Sequence, residues 1–250
     1  MTLDVVAAAR RRTRRTVAVL LAVIVGAVVA SYVASCNGVA ESTDTSAGPS
    51  AVSTASSPSG ASVANAVVLP ADVTWTEVAG VALPVSATAG PIGMVDGLAW
   101  GFAHSLPGAV IAGLHLLVRT TPQVGPDVFD PTIAGQVVSE DALLLRQSVT
   151  AQYTAEAARR GLPYGQPLGD LPGSVVGVRV ESAEPDRVRL GVLTAAADRA
   201  GVTRFAVTSV TVVWVDGDWR LVAPAGGSWD AVVRLVDGSA VEAYTPVGRG

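Results

Sequence analysis

The chain contains no lysine: all 17 of its basic residues are arginine. That absence excludes Schiff-base chemistry and the lysine of a phosphate-binding loop. Cysteine occurs once, at Cys36, so no intramolecular disulfide can form. Histidine occurs twice, at His104 and His115, with no glutamate-bearing zinc motif between them. Two histidines without a third ligand do not make a metal site. His104 is expected to cap a helix or bond locally, and His115 to sit partly buried in the core. No Gly-x-Ser-x-Gly elbow of the esterase type occurs.

Charge is distributed unevenly along the chain. Residues 1–35 hold five Arg and one Asp, a net +4, whereas residues 36–250 hold 12 Arg and 20 acidic groups, a net −8. An acidic body of this kind repels nucleic acid, whose binding needs clustered positive charge.

The uncharged stretch Thr16 to Ala40 follows Arg10-Arg11-Arg12-Thr13-Arg14-Arg15 and has an apolar centre from Val17 to Ser35. Nineteen helical residues rise about 28 Å, close to the hydrocarbon thickness of a bilayer. Arginines before a first span hold that end in the cytoplasm, which places the remainder outside the cytoplasmic membrane. The run is longer than the apolar part of an ordinary cleaved signal, which favours an uncleaved anchor. The rival is a lipoprotein signal, because Val33-Ala34-Ser35-Cys36 is similar to a lipobox whose cysteine carries the lipid. Either way the chain is membrane-attached. From Glu41 to Val63, eleven of 23 residues are Ser or Thr, too little apolar surface to offset ordering entropy, so residues 36–68 read as a disordered tether.

Residues 69–97 are punctuated by Pro and Gly and lean towards β, with Val73, Trp75, Val78, Val81 and Leu83 forming a short strand or extended arm. Helical spacing begins at Ser105, an N-cap with Pro107 in the first turn. Leu106, Val110, Leu114, Leu117 and Val118 share one face, and Ala109, Ala112 and Leu116 make the rest nearly as apolar, so this helix is enclosed rather than amphipathic. Asp130-Pro131 opens a short helical turn. Ser139-Glu140-Asp141 opens a third helix with the buried stripe Ala142, Leu145, Val149, Tyr153 and Ala157, closed by Arg159-Arg160-Gly161. Gly161, Gly165, Gly169, Gly173 and Gly177 recur every four residues, a spacing that fits no nucleotide loop.

Beyond Gly173 the period changes to two. Val176, Val178 and Val180, then Val188, Leu190 and Val192, alternate with charged residues across the turn Glu184-Pro185-Asp186, as expected of an antiparallel sheet with one wet face. Phe205–Val215, Asp216-Gly217 and Asp218–Val222 spell a hairpin with a two-residue turn, pairing Trp214 with Trp219 and Val212 with Leu221. The segment 225–250 reads either as a further strand pair around Asp237-Gly238 or as a helix.

Three helices followed by four strands and a closing Val-Val-Trp-Val-Asp-Gly-Asp-Trp-Arg-Leu hairpin give an α+β domain over 98–224. That order resembles the cone-like fold of nuclear transport factor two and ketosteroid isomerase. With a cytoplasmic segment 1–16 and a transmembrane helix 17–35, the layout resembles the bitopic assembly proteins of type IV secretion and conjugation. The passage Gly101-Phe102-Ala103-His104-Ser105-Leu106-Pro107-Gly108-Ala109, after Pro84-Val85-Ser86 and Gly90-Pro91, is also similar to uncharacterised actinobacterial proteins associated with mobile elements. An isomerase in this fold needs a carboxylate inside the cone. The inward strand positions here are aliphatic, and only Asp96, Asp127 and Asp130 approach a pocket mouth.

The sequence therefore points to a non-enzymatic, single-pass membrane protein without cofactor or metal. Its outer domain would meet other protein subunits or copies of itself as an accessory of a conjugation or secretion apparatus. The alternative is a ligand-binding lipoprotein, lipidated on Cys36, or a cone-fold enzyme with an apolar pocket.

Overall fold

The computed structural model describes residues 67–248. The run 17–35, Cys36 and the linker up to residue 66 lie outside the described residues. Among the described residues, no helix is long and apolar enough to cross a membrane.

The core is built around α1, Leu106–Arg119. Ser105 starts it, its hydroxyl accepting from the Gly108 amide at 3.2 Å, and Pro107 fits the first turn, where its missing N–H costs nothing. Every residue from Gly108 to Arg119 is buried. A helix apolar on all sides must be enclosed on all sides, and the other elements do this. On one side lies the sheet; on others lie the β1–β2 hairpin (Thr74–Val78 and Val81–Val85), the β3–β4 hairpin (Gly93–Val95 and Leu98–Trp100) and α2, Pro126–Gln136. His115, wholly buried, donates from Nε2 to the Pro84 carbonyl at 2.9 Å, tying α1 to β2. Gly113 faces Leu190 so closely that an added methyl would meet its Cδ1 at 2.6 Å.

The helix α2 starts a turn earlier than its Asp130-Pro131 signal implies, because Gly125 takes a positive φ of 84° and delivers Pro126 to the first helical position. Pro131 lies inside the helix. After the two-residue strand β5 (Val137–Val138), α3 runs from Ala142 to Arg160 and buries Leu145, Val149, Tyr153 and Ala157 at four-residue spacing, while Ala142, the first residue of the expected stripe, is only half-buried at the helix start. Gly161 ends it in the left-handed conformation at φ 68°.

Four strands follow: β6 Ser174–Glu184, β7 Arg187–Ala197, β8 Thr203–Val215 and β9 Asp218–Val222. The β8–β9 register pairs Val215 with Asp218, Trp214 with Trp219 and Val212 with Leu221, as the Asp-Gly turn demands. Asp216 and Gly217 both have positive φ, 54° and 81°. Val178, Val188, Leu190, Val192, Val210 and Val212 face α1. Val176 does not. A bulge between Val175 and Gly177 turns Val175 to the helical side and sends Val176 to the opposite face.

The protein is thus α+β, with helices against a large sheet. The sheet is mixed, not wholly antiparallel, because β5 leaves α2 in the direction of β9 and pairs with it in parallel, Val137 opposite Leu221. The C-terminal segment forms neither an internal strand pair nor an α-helix. Its strands dock separately: β10 (Val233–Val236) on β8, and β11 (Thr245–Pro246) on β6. Three 3₁₀ segments, Ala225–Gly227, Trp229–Val232 and Gly238–Ala243, complete it. The edge of β8 not used by β7 takes β9 at one end and β10 at the other, which only a strand of 13 residues allows. Tyr244, Val236 and Val241 cover Leu193, Val207 and Val176 on half of the sheet's second face.

Two outcomes follow from the enclosure of α1. Leu190→Ala, which empties the space opposite Gly113, is expected to lower unfolding free energy by about 2–5 kcal/mol in denaturant titration. Burial, together with Arg119 one turn away, pushes the His115 pKa down from 6.5 to about 4. The unfolded chain takes up this proton near pH 6.5 and the folded one only near pH 4. Stability contributed by neutral His115 is therefore complete above that window and lost as the pH falls through it. The loss should reach about 2 kcal/mol by pH 5, and His115→Gln should flatten that slope; parallel pH profiles for the two proteins would contradict the assignment.

Candidate functional site

The space between α1 and the sheet is filled. The crevice lined by Val81, Leu117, Val118, Leu171 and Val175 offers about 10 Å³, room for one water molecule. A second, between α3 and the segment Gly227–Asp230, is no larger. Of the acids marked as nearest to a pocket mouth, Asp96 occupies a tight turn at φ 51°. Asp127 is exposed in the first turn of α2, and Asp130 pairs with Arg146 at 2.9 Å. The structure brings no two of them together around a cavity. Among the described residues, no three His, Cys, Asp or Glu side chains gather to hold a metal ion. The glycine series is architectural. Gly161 caps α3, Gly165 and Gly169 take positive φ, and Gly173 and Gly177 pass close to Ala195 and Tyr244.

His104 does not act locally, as its position before α1 implied. Its Nε2 lies 2.8 Å from Asp186 Oδ1 and 3.1 Å from the Pro185 carbonyl. Both are acceptors, so this nitrogen carries the proton. The ring stacks on Trp214 at a centroid distance of 4.2 Å and 6° between planes. Trp219 Nε1 donates to the Ala103 carbonyl at 2.9 Å, and Asp218 accepts from the Gly101 and Phe102 amides. The stretch Gly101–Ser105 is thereby strapped across the end of the β8–β9 hairpin. The aromatic pair that fixes strand register also seats the entrance to α1.

The strap holds the feature that stands out on the surface. Immediately before it, the β3–β4 hairpin exposes Ile92 (70%), Met94 (44%), Val95 (60%) and Trp100 (45%). By the pairing register Val95 and Trp100 share one face of the hairpin and Ile92 and Met94 the other, so large apolar side chains are exposed on both of its faces, which is uncommon without a partner. The hairpin is also firmly anchored. Arg119 Nη1 donates to the Gly97 carbonyl at 2.6 Å, and Gln136 Nε2 donates to the Ala99 carbonyl at 2.7 Å. Both side chains are buried. Burial pushes the Arg119 pKa down. Its charge lies at the C-terminal end of α1, where the helix dipole favours a cation, and no carboxylate among the described residues pairs with it. Trp100 lies across Gly93, where any side chain would collide with the indole. The patch is thus a prearranged surface on a rigid base.

Sequence periodicity alone does not reveal this hairpin, since each strand has three residues. Its signal is Asp96-Gly97 between Val95 and Leu98, the same Asp-Gly turn that marks β8–β9; both residues have positive φ.

No curated protein and no solved structure matches the chain. Residues 37–245 match a family profile described as Domain of unknown function (DUF8175). That match spans the whole α+β domain up to β11 and most of the sequence before it, and the chain belongs to this family.

Proposed function

We propose that this protein is a membrane-anchored interaction subunit, held outside the cytoplasmic membrane by residues 17–35 and a flexible linker. Its part would be that of an accessory in a conjugative transfer or type IV secretion apparatus. The observation that carries the interaction role is the anchored apolar hairpin with Ile92, Met94, Val95 and Trp100 at its surface. An exposed group of this composition, with Trp and Met among it, has the character of a protein-contact hot spot. The filled space beneath the sheet supports a role in assembly over one in ligand binding. The placement in a transfer apparatus rests on resemblance: helices followed by a sheet closing in the Trp214–Trp219 hairpin, a cone-like order, behind a single arginine-flanked span.

A photo-reactive residue at Ile92 or Val95 of the full-length protein, activated in living cells, tests this reading. Adducts to membrane-associated protein subunits are expected, reduced at least about ten-fold by Trp100→Asp, consistent with removal of a hot spot worth 2 kcal/mol or more. Absence of protein adducts, with the purified protein running as a monomer, contradicts it. The mode of attachment is read separately: Cys36→Ser leaves an anchored protein in the membrane fraction, whereas a lipoprotein is lost from it.

A further inference from the structure

We propose that the open half of the sheet's second face, centred on Arg187 and Arg189 with Arg220 at its rim, is a contact surface for anionic phospholipid headgroups. In β7, Val188, Leu190 and Val192 are buried against α1, so Arg187 and Arg189 stand on the opposite face, and both are exposed. In register, Arg187 lies opposite Val213, which lies opposite Arg220; Arg189 lies opposite Thr211. Two residues along a strand are about 7 Å apart and two strands across about 10 Å, so these cations form an open planar lattice. The C-terminal segment, which covers Leu193 and Val207, stops short of it.

The charge economy of the domain singles this lattice out. Elsewhere Arg146 is occupied by Asp130, Arg159 and Arg160 by Glu156, and Arg204 by Asp198, while Arg199, in the β7–β8 loop, and Arg234, on β10 beside the Tyr244 hydroxyl, are exposed without an ion pair among the described residues but are not neighbours on one strand. On the second face itself, Glu181 is held by Arg179 at 3.8 Å and by Ser209 at 3.4 Å, and Arg179 also lies over the Tyr244 ring. Glu184 faces Arg187 across the strands without forming an ion pair with it. Arg220 donates to the Gly135 carbonyl at the sheet edge. Among the described residues, Arg187 and Arg189 have no carboxylate within ion-pair distance. In a body with a net charge of −8 over residues 36–250, two adjacent unpaired cations on one strand give this face a local attraction for a negatively charged plane.

The shape of the surface selects the occupant. The residues between and beside the arginines on this face are Val213 and Thr211, with no aromatic side chain between them for bases to stack on. A flat array of separate guanidinium groups matches many phosphates in a plane, as headgroups present them. This inference rests on the anchored reading only in that the tether keeps such a plane within reach.

The full-length protein with Cys36→Ser and Thr211→Cys, carrying a fluorophore at position 211, is placed in nanodiscs of phosphatidylcholine alone or mixed with phosphatidylglycerol, with a headgroup-attached quencher. Stronger quenching is expected in the phosphatidylglycerol discs, weakened by salt and by roughly five-fold in the face-down population for each arginine removed in Arg187→Glu and Arg189→Glu. The pair Arg146→Glu and Arg199→Glu, equal in charge, should leave it intact. Equal quenching in both disc types, or equal loss with the control pair, overturns the proposal. So does an arginine-dependent adduct to an acidic protein without lipid-dependent quenching. A chain that fails to enter the discs refutes only the anchored reading; cosedimentation of the same variants with vesicles of the two compositions then decides the lipid contact.

Discussion

The structure depends on the need to enclose α1. A helix with no polar side cannot be served by a sheet alone, so the chain supplies cover from before and after it in sequence. The β1–β2 hairpin closes one flank and α2 another, while β6–β9 form the floor. Polar groups are confined to the ends of the helix and to the few points where they meet a carbonyl: Ser105 at the start, Thr120 and Thr121 bonded back to the last turn, and His115 against Pro84. Each satisfies a group that burial leaves exposed to no water. The arrangement also explains why the crevice between α1 and the sheet has room for no more than about one water molecule: the helix occupies the space that a ligand needs.

The elements whose information is local were legible in the sequence. Periodicity located α1 and the buried stripe of α3, and the Asp216-Gly217 turn set the register of β8–β9 to the residue. What was not legible depends on partners far along the chain. Val137-Val138 is too short to show a period, and only Leu221 and Val222 make it a strand. Val233–Val236 has a strand's composition, but nothing local says that it lies beside Phe205–Thr208. Alternation assigned Val176 to the core, and a single-residue bulge reversed it. The arginine-flanked apolar run, from Arg10 to Cys36, is the plainest feature of the sequence and falls outside the described residues.

For the site, little was legible, because its side chains meet only through the fold. Asp96 was read as an acid near a pocket mouth, although the Asp96-Gly97 pair is better understood as the turn of the apolar hairpin. His104 gave no hint of Asp186 because the two meet only after β6, β7 and the tryptophan pair are in place. What emerges is a division of labour between two surfaces on one rigid body. One is apolar and small, fixed by Arg119 and Gln136; the other is cationic and flat, fixed by strand alternation.

The strand β8 receives β7 on one edge and both β9 and β10 on the other; β10 lies beyond β9 in the chain, whereas β7 and β9 are the immediate neighbours of β8 in sequence. Their pairing closes short loops, for which the entropic cost is low. The union of β5 with β9 is different, since it is clamped by residues as distant as Gly135 and Arg220, 85 positions apart. Contact order therefore orders assembly: the meander around β8 forms first as a template, and the parallel edge closes last, bringing α2 and the hairpin it anchors with it. On that order, the apolar hairpin reaches its fixed presentation only when the rest of the fold is complete, so an unfinished domain does not present the proposed contact surface.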